Sequence, residues 1–370
     1  MPKNQLKPLT SLRFFAALWV VLYTYVKELN FPVHFALLDK GYLGVDLFFV
    51  LSGFILSYVY LEAFGEKRFD YAEFITHRLA RVYPLHLATL LFTILMIGAA
   101  AMKGVELDPS AANWSALPAH LLLLQSWGLA STAAFNHPSW SISAEWFAYM
   151  TFPLTAALSW RLRNRPIFAV AAAMIFLVVL NLVFRLVMGF NLTHGTFQWG
   201  ALRIVPSFLF GSALYLAWRA GAVATPGIAA FGAASASLIV IAASSFGEAN
   251  PLADALIVLA LGLMVLSIAG FDSERAGPLS SKILVYLGEI SFATYMIYVP
   301  WKWVYLKTVH AVLNLGDEAL PFAWWFAGLL ALVPLSMLAH HFIELPFRRI
   351  VRRWGAQMVN KLPQKFAKEG

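Results

Sequence analysis

Four groups of polar residues stand in otherwise apolar sequence, and their types and spacing set out the chemistry open to this chain. Asp46 is the single carboxylate of GYLGVDLFFVLSGFILSYVYL, residues 41–61. An ionisable side chain inside such a run is costly unless it is partnered in the protein interior. A functional acid and a structural hydrogen bond to a neighbouring helix are the two readings. Arg13 and Thr24, in LRFFAALWVVLYT, lie eleven residues apart, about three helical turns or ~16 Å, and so share a helix face. Arg78 and Arg81, in THRLARVYP, are three apart on one face just before Pro84. Two guanidiniums so placed suit bidentate contact with phosphate or pyrophosphate; anchoring of a helix end at a membrane surface is the plainer alternative. Glu145 follows Ser141 and Ser143 in WSISAEW, a second carboxylate in an apolar setting, where the serines also suit a capped helix start.

These residues need helices to hold them. Of the 370 residues 60% are hydrophobic and 12% charged, a composition that excludes an ordinary soluble domain and points to an integral membrane protein. Apolar runs at 8–29, 41–62, 83–102, 140–160, 166–189, 200–218, 223–246, 251–271, 283–307 and 321–346 each have the length to cross ~30 Å of hydrocarbon. The expected fold is therefore all-α, with about ten transmembrane helices over residues 1–346 and a basic cytoplasmic tail at 347–370. The shorter run 117–129 suits an interfacial or re-entrant piece. With the N-terminus inside, most of the 27 Lys and Arg residues fall on the cytoplasmic side, so both termini are placed there. That distribution explains the net charge of +8 without nucleic acid as a partner. No cysteine is present, which excludes disulfides, thiolate catalysis and thiolate metal sites. No histidine pair and carboxylate share a face at ligand spacing, so no metal is expected.

Taken together, the motifs resemble one family: the acyltransferase family 3 membrane enzymes, which O-acylate glycans and other hydroxyl acceptors. The matching residues are Leu12-Arg13 followed by Ala16-Ala17, the block from Gly44 to Phe54, Arg78 and Arg81 with Tyr83-Pro84, and Trp140-Ser141 with Ser143 and Glu145. Ile290-Ser291 with Tyr295, and Glu344-Leu345-Pro346 with Arg348, also fit. The resemblance implies a multi-pass protein of a bacterial inner membrane that takes an acetyl or other short acyl group from acetyl-CoA. The acceptor would be a hydroxyl of a glycan, such as an exopolysaccharide, or of a lipid-linked saccharide. It further implies that Arg13, Arg78 and Arg81 hold the CoA phosphates and that Ser141, Ser143 and Tyr295 contact substrate. The general base is a first-span histidine, oriented by an acid such as Asp46 or Glu145.

At that histidine position this chain has Thr24, and a threonine hydroxyl is no base near neutral pH. A later family histidine is likewise replaced, by Tyr298. Three readings follow: a position altered from a native histidine, a base relocated to Glu145, Asp46 or His137, or loss of acyl transfer with a binding, transport or assembly role retained. A glycolipid or anion transporter is the rival from another class, because intramembrane Arg, Asp and Glu also suit transport. The remaining polar residues have simpler expectations. Arg185 and Arg203 suit lipid head groups better than an anionic glycan, and Lys302 marks a polar face inside the bundle or part of an acyl tunnel. His137-Pro138 reads as a turn, and His340-His341 beside Glu344 as helix packing.

Overall fold

The computed structural model describes residues 7–29, 35–104, 110–130, 132–247, 250–271, 276–316, 318–351 and 353. Among them the regular structure is helical, without a strand. In chain order the helices are α1 (Lys7–Tyr25), a short α2 (Ala36–Asp39), α3 (Gly44–Gly65), α4 (Tyr71–Met102), a short α5 (Leu117–Leu121), α6 (Ser139–Met150) and α7 (Phe152–Leu162). They continue as α8 (Pro166–Met188), α9 (Gly200–Arg219), α10 (Pro226–Ser244), α11 (Pro251–Ala269), α12 (Lys282–Leu313) and α13 (Phe322–Ala339). Helix starts carry the expected local chemistry. Asp70, Thr225, Asn250 and Ser281 cap α4, α10, α11 and α12 by accepting backbone N–H bonds, and Pro stands in the first turn of α8, α10 and α11, where its missing N–H costs nothing.

Nine helices among the described residues are long and apolar enough to cross a membrane, and the chain is an all-α, polytopic membrane protein. The tenth expected span, 140–160, is not one helix. It breaks at Thr151, because Pro153 in the first turn of α7 cannot continue the ladder and disfavours helical backbone just before it; the Thr151 hydroxyl donates to the Phe147 carbonyl at 2.9 Å. The run at 117–129 folds as α5 followed by an irregular turn, with Gln125 and Ser126 fully buried. Non-helical backbone is tolerated at such a place when protein surrounds it. Gln125 Nε2 donates to the Ser139 carbonyl at 3.0 Å and Trp127 Nε1 to that of Ser143 at 3.0 Å, which ties the turn to the start of α6. The tail expected from 347 lies largely outside the described residues.

Two close helix contacts set the geometry of the centre. Between α3 and α9 a Cβ on Gly53 would meet the Phe208 carbonyl oxygen at 2.0 Å, and one on Gly211 would meet that of Val50 at 2.0 Å. Only glycine on both sides lets these backbones touch, the small-residue packing that replaces hydrophobic driving force between helices in lipid. Between α12 and α1, Gly288 sits equally tight against the Thr10 carbonyl. Helices α9 and α11 are the most buried of the spans, while α8 and α13 present apolar side chains such as Leu186, Val187, Phe326 and Leu330 outward. Apolar exposure of that kind is the surface a lipid-facing helix needs.

Candidate functional site

Two cavities open in the centre, stacked along the bundle. The first, about 120 Å³, is walled by Arg13 of α1, by Val45, Phe48, Ser52 and Leu56 among others of α3, by Arg78 and Arg81 of α4, by Ser141, Ile142, Glu145 and Tyr149 of α6, and by Phe292 and Tyr295 of α12. The second, about 420 Å³, takes Val20 to Thr24 of α1 with Lys27 and Glu28 beyond it, Tyr42 and Val45, His137 and Trp140, His194, Arg203, and Tyr295 to Trp303 of α12. Helices α1, α3, α6 and α12 run past both: residues toward one end of each line the first cavity and residues toward the other end line the second. Val45 and Tyr295 belong to both walls, and the Ser141 hydroxyl donates to the Tyr295 hydroxyl there at 2.9 Å.

The first cavity gathers most of the residues singled out by spacing. Arg78 donates to the Tyr60 hydroxyl at 3.1 Å, and its guanidinium lies against the rings of Tyr60, Phe74 and Tyr149. Arg13 lies over Phe48, close enough to Arg81, Glu145 and Glu344 to feel their charges. The Nε groups of Arg13 and Arg78 are buried and have no partner among the described residues. Such donors, facing a cavity, suit an anionic ligand that would complete them. Glu145 also lies here, not beside Thr24: it accepts hydrogen bonds from Ser52, at 2.8 Å, and from the Tyr149 hydroxyl. Ser141 and Tyr295 line the wall, whereas Ser143 does not. The Ser143 hydroxyl donates to the Leu123 carbonyl at 2.7 Å and accepts from Ser126 N at 3.1 Å, so it pins the irregular turn and is spent on structure.

Thr24 lines the second cavity, its hydroxyl donating to the Val20 carbonyl at 3.1 Å, and Tyr298 shares that wall. The sequence reading has Asp46 or Glu145 orienting a base there. Asp46 lines neither of these cavities; it is 1% exposed and paired with Arg203, 3% exposed, at 2.6 and 3.4 Å. Arg203 completes its shell with the carbonyls of Tyr42, at 3.1 Å, and Gly195, at 3.4 Å, and stacks over Trp140. Its expected contact with lipid is therefore corrected, because the α3–α9 packing turns it inward. Lys302 pairs with Glu28 at 2.6 Å, and His340 with Glu344 at 2.7 Å. Arg185 bonds the Gly189 carbonyl at the end of its own helix. Among the described residues no group of three or more His, Cys, Asp or Glu is placed to hold a metal.

Sequence reasoning missed a second buried carboxylate. Asp254, 0% exposed, accepts from Lys40 Nζ at 2.7 Å, Tyr42 Oη at 2.9 Å, Asn191 Nδ2 at 3.0 Å and Thr193 Oγ1 at 2.5 Å. Four donors on one buried carboxylate satisfy it fully, and they fix Tyr42 and Thr193 in the wall of the second cavity. His194 packs tilted against the Tyr42 ring, centroids 4.4 Å apart. The signal was present: Asp254 is the lone charge of its apolar run, as Asp46 is of its own.

A family model described as an acyltransferase domain matches residues 8–341, nearly the whole chain. The chain belongs to acyltransferase family 3. This family 3 chain is 31% identical to the acyltransferase MdmB of Streptomyces mycarofaciens, over 94% of this chain and 93% of that protein. It is 22% identical to "Putative O-acetyltransferase SACOL0978" of Staphylococcus aureus (strain COL), over 92% of this chain and 57% of the longer relative. A shorter stretch, 24% of this chain, is 34% identical to "Putative peptidoglycan O-acetyltransferase YrhL" of Bacillus subtilis (strain 168). No solved structure matches the family 3 chain.

Proposed function

We propose that this acyltransferase moves a short acyl group, acetyl in the first instance, from acyl-CoA to a hydroxyl of a carbohydrate or lipid-linked saccharide, across a bacterial inner membrane. The observation that carries the reading is the pair of stacked cavities sharing Val45 and Tyr295. One has three arginines at its mouth and the other a hydroxyl-rich, aromatic wall. In this reading both termini are cytoplasmic, with the broken α6–α7 pair counting as the tenth crossing. The arginine mouth then faces the compartment that holds CoA thioesters.

Arg78, Arg81 and Arg13 hold the CoA phosphates, charge-assisted contacts of the strong kind. Stacking of Arg78 on Tyr60 and Tyr149 fixes its fork for that purpose. The thioester reaches the junction, where the apolar side chains of Val45, Phe48 and Phe292 surround the acyl group; the small volume of this cavity favours a short one. The acceptor enters the second cavity, where Tyr23, Trp140, Tyr298 and Trp303 supply faces for sugar rings with polar edges for their hydroxyls. The names of the staphylococcal and Bacillus relatives support acetyl as the acyl group, and the latter supports a glycan as acceptor. Attack by the hydroxyl needs a general base. Thr24 does not supply one, so the base is another group of the second cavity.

The test is CoA thiol release by the purified chain from acetyl-CoA, with and without glycan oligosaccharides, beside acetyl-CoA binding followed by thermal shift. Acceptor-dependent release is the expected result. Absence of both binding and release would overturn the reading in favour of transport.

A further inference from the structure

We propose that His137 is the general base of this chain, in place of the first-span position that Thr24 occupies. The assignment rests on the acyl-transfer reading above. His137 lines the second cavity and presents an exposed ring to it. Among the described residues no group hydrogen-bonds that ring, and its aromatic neighbour is Phe197, edge-on at 5.5 Å. The ring is enclosed by the protein although open to the cavity, and this loss of bulk water holds it below the ordinary histidine range. An imidazole is largely unprotonated at neutral pH even at its ordinary pKa, and that is the form that accepts a proton.

Its backbone is fixed relative to the junction. Asn136 Nδ2 donates to the Met296 carbonyl at 2.9 Å, next in sequence to Tyr295, and the His137 carbonyl accepts from Trp140 N at 3.2 Å. Four residues on, Ser141 bonds Tyr295 at the shared wall, so the imidazole stands about one helical turn from where the cavities meet. The competing groups are committed elsewhere. Asp46 is held by Arg203 and Glu28 by Lys302. Glu145 lines the first cavity only, and one face of His194 is covered by Tyr42.

In the step itself, the His137 imidazole takes the proton of the acceptor hydroxyl as its oxygen attacks the thioester carbonyl carbon. A C–O bond forms, the C–S bond breaks as the tetrahedral adduct collapses, and the imidazolium returns the proton to the departing CoA thiolate. Thioester and alcohol become ester and CoA thiol, with no further reactant.

The experiment measures CoA release from acetyl-CoA with N-acetylglucosamine oligosaccharides and peptidoglycan fragments as acceptors. It compares the native chain with His137→Gln, His137→Gly and Thr24→His, and records acetyl-CoA affinity for each as a check on folding. The expected result is turnover by the native chain and a loss in kcat of about 100-fold or more in His137→Gln, with donor affinity within about twofold. Added imidazole restores turnover to His137→Gly, a rescue that a merely structural histidine would not allow. Native-rate turnover by His137→Gln overturns the assignment alone, as does turnover confined to Thr24→His. No turnover by the native chain or Thr24→His overturns the acyl-transfer reading, and the assignment with it.

Discussion

Replacing Arg203 by leucine should destabilise the protein severely while leaving the cavity lined by Arg13, Arg78 and Arg81 intact. The change removes the cation that faces Asp46 at 2.6 Å and leaves a carboxylate 1% exposed with no opposite charge. It also strips the Tyr42 and Gly195 carbonyls of their guanidinium donors. Breaking a buried pair from one side costs about 3–5 kcal/mol, a large part of the 5–15 kcal/mol or so that holds a domain folded. For a chain of this size that corresponds to a fall in Tm of about 4–6 °C. Removing both charges, in Asp46→Leu with Arg203→Leu, should recover much of the loss, because matched apolar residues often replace a buried pair at little cost. The assay is thermal unfolding of purified protein in detergent, read by tryptophan fluorescence, as a double-mutant cycle with acetyl-CoA affinity alongside. If Arg203→Leu melts with the native protein, or if Asp46→Asn abolishes turnover at unchanged Tm, Asp46 is an acid of the site and the structural assignment is refuted.

Arg78→Ala and Arg81→Ala should each weaken acetyl-CoA binding about tenfold or more, the loss of one charge-assisted contact. Arg78→Lys should not restore it, because lysine lacks the planar fork that stacks on Tyr60; unchanged affinity in titration calorimetry would rule out the arginine mouth. Asp254→Ala strands the 1% exposed Lys40 ammonium with the Gly247 carbonyl and Tyr42 hydroxyl as its neighbours, and should lower Tm by an amount similar to Arg203→Leu. A native melting curve for this variant would show that the buried network is dispensable. Gly53→Leu places a side chain where the Phe208 carbonyl lies 2.0 Å from Cβ, so α3 and α9 cannot seat. The expected outcome is aggregated protein on size-exclusion chromatography, and a monodisperse, native-like peak would contradict it.

Much of the fold was legible in the chain. In hydrocarbon every backbone polar group must be satisfied within its own segment, so length and apolarity suffice to mark α1, α3, α4 and α8 to α13, and the motif blocks led to the family. The break at Thr151 is also written locally, in Phe152-Pro153, but the run 140–160 stays apolar through it and so masks it. Arg78 and Arg81 line one cavity together, in keeping with their three-residue spacing; that Arg13 lines it too was implied by the family resemblance and not by spacing.

The partner of each buried charge was not legible. The cation paired with Asp46, Arg203, is 157 positions away in the chain. Asp254 draws its donors from Lys40 and Tyr42 on one segment and from Asn191 and Thr193 on another, both distant in the chain. Glu145 and Thr24 look like neighbours in a shared mechanism, yet they line different cavities. Which carboxylate meets which cation depends on how far one helix slides along another. That register is set by contacts such as Gly53 against Phe208 and Gly288 against Thr10, between residues distant in the chain. The sequence by itself determined the spans, their order and the kinds of group available for chemistry, because those follow from local hydrogen bonding and transfer into lipid. Only the tertiary structure decided that the arginines face one cavity and His137 another, with Val45 and Tyr295 between them.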